Sequence, residues 1–393
     1  MFRFTAVLQE EVRPDKLQQA LEETARRFPY FCVRLRRGMF WYYLEENTTL
    51  PKAEGDTRSP CPPLQKGELP FRVRYWENRI SCEFAHVICD GTGGIAFFKT
   101  LLAQYLRLLG VEIPYGPDLM DISQPPQPGE WEDAFGRFSR MGAKPSRAEP
   151  KAYRPTGVRL PAGMRVVTTG VLQVGQVLGK AKEYGVSLTE YLTAVLAYVL
   201  YREQEAQSPR RKRPVKISVP VNLRKYYPTK TLRNFSQYLN PGIDPNYGDF
   251  TFEETLDQVH HYFRYMFTEK NLNARISKNV GDEKNIAMRI VPLFLKKMAI
   301  RLAYERTGEC VFTSVISNVG VVNLPKEMQP HVQRFDILLN TARRNAVECA
   351  VVSYQGKLSI TFTRSIAEPY TERMFFRMLV QQGLHVWIES NQS

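Results

Sequence analysis

The chain lacks any apolar run of the roughly 18–20 residues that a membrane-spanning helix needs. Its longest approach, residues 286–304, is broken by Arg289, Pro292, Lys296, Lys297 and Arg301 and reads as a buried or interfacial amphipathic helix. The opening residues, Met1-Phe2-Arg3-Phe4-Thr5, show no charged segment, apolar stretch or small-residue cleavage site of a secretory signal. A cytoplasmic location is the simplest expectation. Paired cysteines are also missing. Cys32, Cys61, Cys82, Cys89, Cys310 and Cys349 never occur as Cys-x-x-Cys, and most lie in apolar segments. They read as reduced core residues, which argues against a disulfide scaffold or a zinc module. Histidine is scarce, five in 393 residues, and only His260 and His261 are neighbours, so no metal site is expected. No Gly-x-Ser-x-Gly elbow is present, which removes the usual sign of a serine nucleophile.

Positive charge, in contrast, is abundant: the formal net charge is +14. It is spread along the chain, with one dense run, Arg210-Arg211-Lys212-Arg213, between Pro209 and Pro214. That run reads as a solvated loop, with a contact for a phosphorylated or acidic partner as the alternative. No zinc-finger, helix-turn-helix or RNA-recognition signature accompanies it, so nucleic-acid binding is not expected.

The length allows two cores of ordinary size. Residues 2–8 alternate like a strand, and a helix follows with Pro14 in its first turn and Leu17, Ala20 and Leu21 on one face. Strand pairs are expected across Arg37-Gly38 and across Glu77-Asn78. In the first of these, Phe40-Trp41-Tyr42-Tyr43 should alternate between core and surface. Prolines recur from Pro114 to Pro161 and mark a connection, although Trp131, Phe135 and Phe138 suggest that it packs. Units 1–150 and 151–393 follow. The second begins on a strand near Arg165 and has a helix opening at the capping box Ser187-Leu188-Thr189-Glu190.

The most informative run is His86-Val87-Ile88-Cys89-Asp90-Gly91. Ile80, Cys82, Phe84 and His86 share one parity, which places them on one strand face. After Gly91, where the chain should turn, Ile95, Phe98, Leu101, Leu102 and Tyr105 fall at helical spacing. A partly desolvated histidine at such a strand-to-helix junction is placed to act as a general base.

Three further segments share the order of a known pattern. These are Pro220-Val221-Asn222-Leu223-Arg224, Arg233-Asn234-Phe235 and Ser317-Asn318-Val319-Gly320. With His-x-x-x-Asp-Gly, they make the chain resemble, over almost its whole length, the chloramphenicol acetyltransferase-like superfamily. That superfamily includes alcohol acetyltransferases, wax-ester synthases, polyketide-associated acyltransferases and the condensation domains of peptide synthetases. The chain looks most like the bacterial members described as alcohol acetyltransferase-like. The resemblance implies an α/β fold of mixed sheets, with two similar subdomains in a V and a tunnel between them. It implies that His86 is the general base and that Asp90, the second residue of the catalytic motif, is mainly structural and pairs with Arg224. Asn234, Ser317 and Asn318 would border the tunnel or meet the oxyanion.

No bound cofactor is implied. Acyl-CoA would be a co-substrate, with an alcohol or amine as acceptor. Two alternatives stay open: an acidic acyl carrier protein as donor, or a non-catalytic interaction protein that keeps the fold. Ala85 stands where peptide-forming condensation domains usually carry a second histidine, which favours simple acyl transfer. The Asp-Phe-Gly-Trp-Gly signature of the plant acyltransferases is absent. The chain also begins almost directly on its first strand, where superfamily members tend to carry a short preceding segment.

Overall fold

A computed structural model describes residues 1–392 except 141–148, 208–210, 285–289 and 342–344. Pro145, Pro209, Arg210 and Arg289 therefore lie outside the described residues.

The alternating Phe2, Phe4, Ala6 and Leu8 turn one face of β1 (Phe2–Leu8) into the first core. The helix α1 (Pro14–Arg27) buries Leu17, Ala20 and Leu21 there, as its periodicity predicts. The hairpin β2 (Val33–Arg37) and β3 (Tyr42–Glu46) forms a sheet of its own. Next come β4 (Ala53–Gly55), β5 (Phe71–Trp76) and β6 (Arg79–Phe84), then α2 (Gly91–Leu108). In the second half, β7 is Val166–Gln173, β8 Val215–Asn222, β9 Ser236–Leu239 and β10 Gly242–Ile243. The remaining strands are β11 (Ser314–Val321), β12 (Val332–Leu339), β13 (Val347–Tyr354), β14 (Lys357–Arg364) and β15 (Trp387–Ser390).

The five-stranded sheet runs β12-β1-β6-β5-β4. The larger sheet runs β10-β8-β11-β13-β14-β7-β15, with β9 on β8. This is the mixed α/β architecture expected. A boundary at residue 150 is crossed, however, because β12 pairs antiparallel with β1, Phe2 opposite Leu339. The strand β13 joins the halves more deeply. Its Val347, Cys349 and Val351 enter the second core, whereas Ala350, Val352 and Tyr354 enter the first. A strand buried on both faces must be apolar at both parities, and Val347–Tyr354 is buried throughout.

The proline-rich connection packs as a strap over its described residues before 141. Glu130 is buried against Arg27 at 2.6 and 2.7 Å and against the Tyr30 hydroxyl at 2.8 Å. Further along, Phe135 and Phe138 pack on Phe235 of the second half at 5.0 and 5.9 Å. The strap thus ties α1 to the segment that follows β8.

The aromatic hairpin differs from its sequence reading. Phe40, Trp41, Tyr42 and Tyr43 are all exposed: β2 and β3 pair only with each other, and it is Val33 and Leu44 of the hairpin that pack against the first core. In the basic run, Lys212 is held by Glu205 at 2.9 Å.

Candidate active site

The strand β6 ends at Phe84, two residues earlier than its alternation predicts. The Ala85 N–H still bonds Pro70 O at 2.8 Å, and His86 then sits in a turn closed by Ile88 N–H on Ala85 O at 3.1 Å. This turn carries the imidazole off the sheet and into a cavity of about 1000 Å³. Phe2, Ile337 and Leu339 of the first sheet wall one side of the cavity. Across it stand Ser218 and Asn222 of β8, Gln237 of β9, and Ser317 and Asn318 of β11.

The His86 ring packs against Phe2, centroids 4.7 Å apart, and neither nitrogen has a hydrogen-bond partner among the described residues. The ring is open to a water-sized probe, because it faces the cavity. Enclosure by protein nevertheless pushes its pKa down to about 4, with the chain's amino group adding to the fall and Asp90 opposing it. A lowered pKa favours the neutral imidazole, a form that can accept a proton throughout the neutral range. If His86 serves as a base in catalysis, kcat/KM should hold steady down to about pH 5 and fall only near pH 4. A pH–rate profile checks this, since an ordinary histidine would give a fall near its usual pKa of about 6.5.

Asp90 is the N-cap of α2 and is engaged on both oxygens. Oδ1 accepts from the Thr92 and Gly93 N–H groups at 3.0 and 3.2 Å and from Arg224 Nη2 at 3.3 Å. Oδ2 accepts from Arg224 Nη1 at 2.8 Å and from the Phe235 N–H at 2.9 Å. The guanidinium is equally committed. Nε donates to Thr231 O, Nη1 also to Asn222 Oδ1, and Nη2 also to Arg233 O. All five of its N–H groups are used. The result is a latch that fixes the start of α2 against the turn after β8, leaving Asp90 as a positioning group.

The other expected residues divide. Ser317 and Asn318 line the cavity. The Asn318 carboxamide is fixed between Thr189 Oγ1 and the Gly320 N–H, both 2.9 Å away. Its Ser-Asn-Val-Gly segment forms the C-terminal half of β11, where a register irregularity interrupts the parallel pairing with β13. Asn234 is absent from the cavity wall, and its Oδ1 accepts from Ser236 Oγ at 2.8 Å, a local turn contact. The useful group of that segment is instead the Phe235 N–H. Gly91 is no turn residue either. It is the first residue of α2, with no left-handed φ, and a Cβ there would meet only Val319 Cγ2 at 3.7 Å. Its small size leaves room in the cavity.

The glycine that the packing requires is Gly93, where a Cβ would stand 2.0 Å from Leu232 O. Gly93→Ala should cost about 1–3 kcal/mol by forcing that backbone away, read as a lowered denaturant midpoint. The glycine-rich Gly91-Thr92-Gly93-Gly94 was the available signal for this close approach. Cys89, between His86 and Asp90, is fully buried, and burial pushes its thiol well up. It offers no thiolate beside the base.

No protein-family model matches the chain, and no curated protein matches it. Solved structures do. Polyketide synthase associated protein 5 from Mycobacterium tuberculosis is similar over 96% of this chain and 92% of its own, with TM-score 0.58 and 15% identity. The first condensation domain of the calcium-dependent antibiotic synthetase, solved with a substrate analogue, is similar over 98% and 93%, with TM-score 0.60 and 14% identity. The starter condensation domain of rhizomide synthetase, in complex with C8-CoA, is similar over 96% and 88%, with TM-score 0.56 and 14% identity. The chain shares the mixed α/β fold of these solved condensation domains. At these identities the likeness is one of fold.

Proposed function

We propose that this chain transfers an acyl group from a thioester to an alcohol or amine, with His86 as general base. The observation that carries the reading is an imidazole with no hydrogen-bond partner among the described residues, facing a cavity lined from both halves, where enclosure by protein favours its neutral form. The imidazole takes the acceptor's proton as its oxygen or nitrogen attacks the thioester carbonyl. The tetrahedral oxyanion needs donors, and the Ser317 hydroxyl and the Gly91 backbone at the start of α2 border the same space. As the carbon–sulfur bond breaks, the imidazolium returns the proton to the leaving thiolate.

Likeness to condensation domains supports a carrier-tethered thioester as donor. Free acyl-CoA, in the manner of an alcohol acetyltransferase, is the second reading. Ala85 before His86 supports it, as does the similar structure held with C8-CoA. A structural role alone fits the site poorly, because a histidine kept for architecture would have its ring nitrogens satisfied.

The test offers purified protein a series of acyl-CoAs and an acylated carrier protein, with alcohols and amines, and follows products by mass spectrometry. Faster transfer from the carrier supports the first donor, and faster transfer from CoA the second. If no acyl product forms from either class, the acyltransferase reading fails.

A further inference from the structure

We propose that the β2–β3 hairpin and the helix Leu293–Thr307 together form a surface that docks the chain on an anionic lipid bilayer. The hairpin tip exposes five consecutive apolar residues, Met39 to Tyr43, with Met39 at 76% and Trp41 at 42%. Met39, Phe40 and Trp41 form the turn between the two strands, and Tyr42 and Tyr43 open β3. The helix adds Phe294 at 62% and Met298 at 64%, with Leu295, Ile300 and Tyr304 also exposed. These elements lie about 250 residues apart in sequence yet touch. The Leu293 N–H bonds Met39 O at 2.9 Å, and Lys296 Nζ bonds Phe40 O at 3.0 Å while lying 3.5 Å from the Trp41 ring centre. Lys297 stands 5.2 Å from the Tyr42 ring. The apolar side chains therefore form one patch of the kind that soluble surfaces rarely leave open.

Charge decides among occupants. The side chains that the two elements leave at the surface include Arg34, Arg36, Arg37, Lys297 and Arg301 against Glu45 and Glu46, five basic groups to two acidic, while Lys296 is buried. Two copies meeting through this face would bring like charges together. A folded protein partner offers one shaped face, whereas a protruding turn of consecutive exposed apolar residues is satisfied by immersion in a fluid apolar medium. Trp and Tyr beside Arg and Lys suit the depth of lipid headgroups. No helix among the described residues is long and apolar enough to cross a membrane, so the contact lies along the surface. Tyr304 also lines the cavity, which brings the docked face beside the proposed site. Any benefit to catalysis rests on the acyl-transfer reading, but the docking itself does not.

The experiment is co-sedimentation of the full chain with vesicles of phosphatidylcholine and phosphatidylglycerol, and with phosphatidylcholine alone. Binding should favour the anionic vesicles and weaken in high salt. The pairs Met39→Ser with Trp41→Ser, and Phe294→Ser with Met298→Ser, should each lower partitioning about tenfold with an unchanged circular dichroism spectrum. Arg37→Glu with Lys297→Glu should do the same without altering the apolar groups, and serves if the serine variants misfold. The proposal is overturned if anionic vesicles fail to sediment the protein or if the variants bind as the parent does. It is also overturned if the patch instead closes a dimer or captures an acidic carrier protein while vesicles are ignored.

Discussion

Replacing His86 with alanine is expected to slow acyl transfer by about 10²–10⁴-fold, the range that a positioned general base supplies. The protein should remain folded. The ring makes no hydrogen bond among the described residues, and its contact with Phe2 is made from the cavity side, so little packing is lost. Single-turnover rates and a thermal melt on the same preparation separate the two effects. A large fall in rate with a melting temperature within a few degrees of the parent is the expected pair. An unchanged rate would remove His86 from the mechanism. A collapsed melt would make the kinetic loss uninformative, and His86→Gln, which keeps most of the volume, then decides. Loss of a proton acceptor should appear mainly in kcat, since the imidazole's role is made in the transition state.

The second large effect is expected at the latch. Asp90→Ala removes the cap of α2, and it leaves the Arg224 guanidinium buried without its carboxylate. Breaking a buried pair from one side costs about 3–5 kcal/mol. Arg224→Ala leaves the opposite charge stranded, though the Thr92, Gly93 and Phe235 N–H groups still hold Asp90. The arginine change should therefore cost less than the aspartate change. Because both remove the same contact, the double variant should cost about 0.5–3 kcal/mol less than the sum of the singles. Urea unfolding of the four proteins measures this, and strict additivity would show that the pair is not coupled. Both single variants should also lower activity with His86 intact, because α2 and the turn bearing His86 share Asp90 as their joint.

Much of this site was legible in the chain. The alternation from Ile80, the helical spacing after Gly91 and the capping box at Ser187 are local patterns, and local sterics and hydrogen bonding enforce them wherever they occur. The order of motifs singled out Arg224 for Asp90 and Ser317-Asn318 for the opposite wall. Asn234 misled because a side chain was credited where the backbone of its neighbour Phe235 does the bonding, and a backbone N–H leaves no mark in residue type. The aromatic hairpin misled for a related reason: alternation shows which residues share a face, but not whether anything covers that face.

The sequence by itself therefore determined the local element types, the capping box at Ser187 and the identity of a candidate base. Only the tertiary structure decided that β12 crosses into the first sheet and that β13 serves two cores at once. It alone decided that Gly93 must admit Leu232 O, and that His86 faces a cavity instead of a neighbour. The first group depends on contacts within a few residues, which periodicity encodes. The second depends on surfaces brought together from opposite ends of the chain, and only burial of those surfaces against each other selects among the ways they could meet.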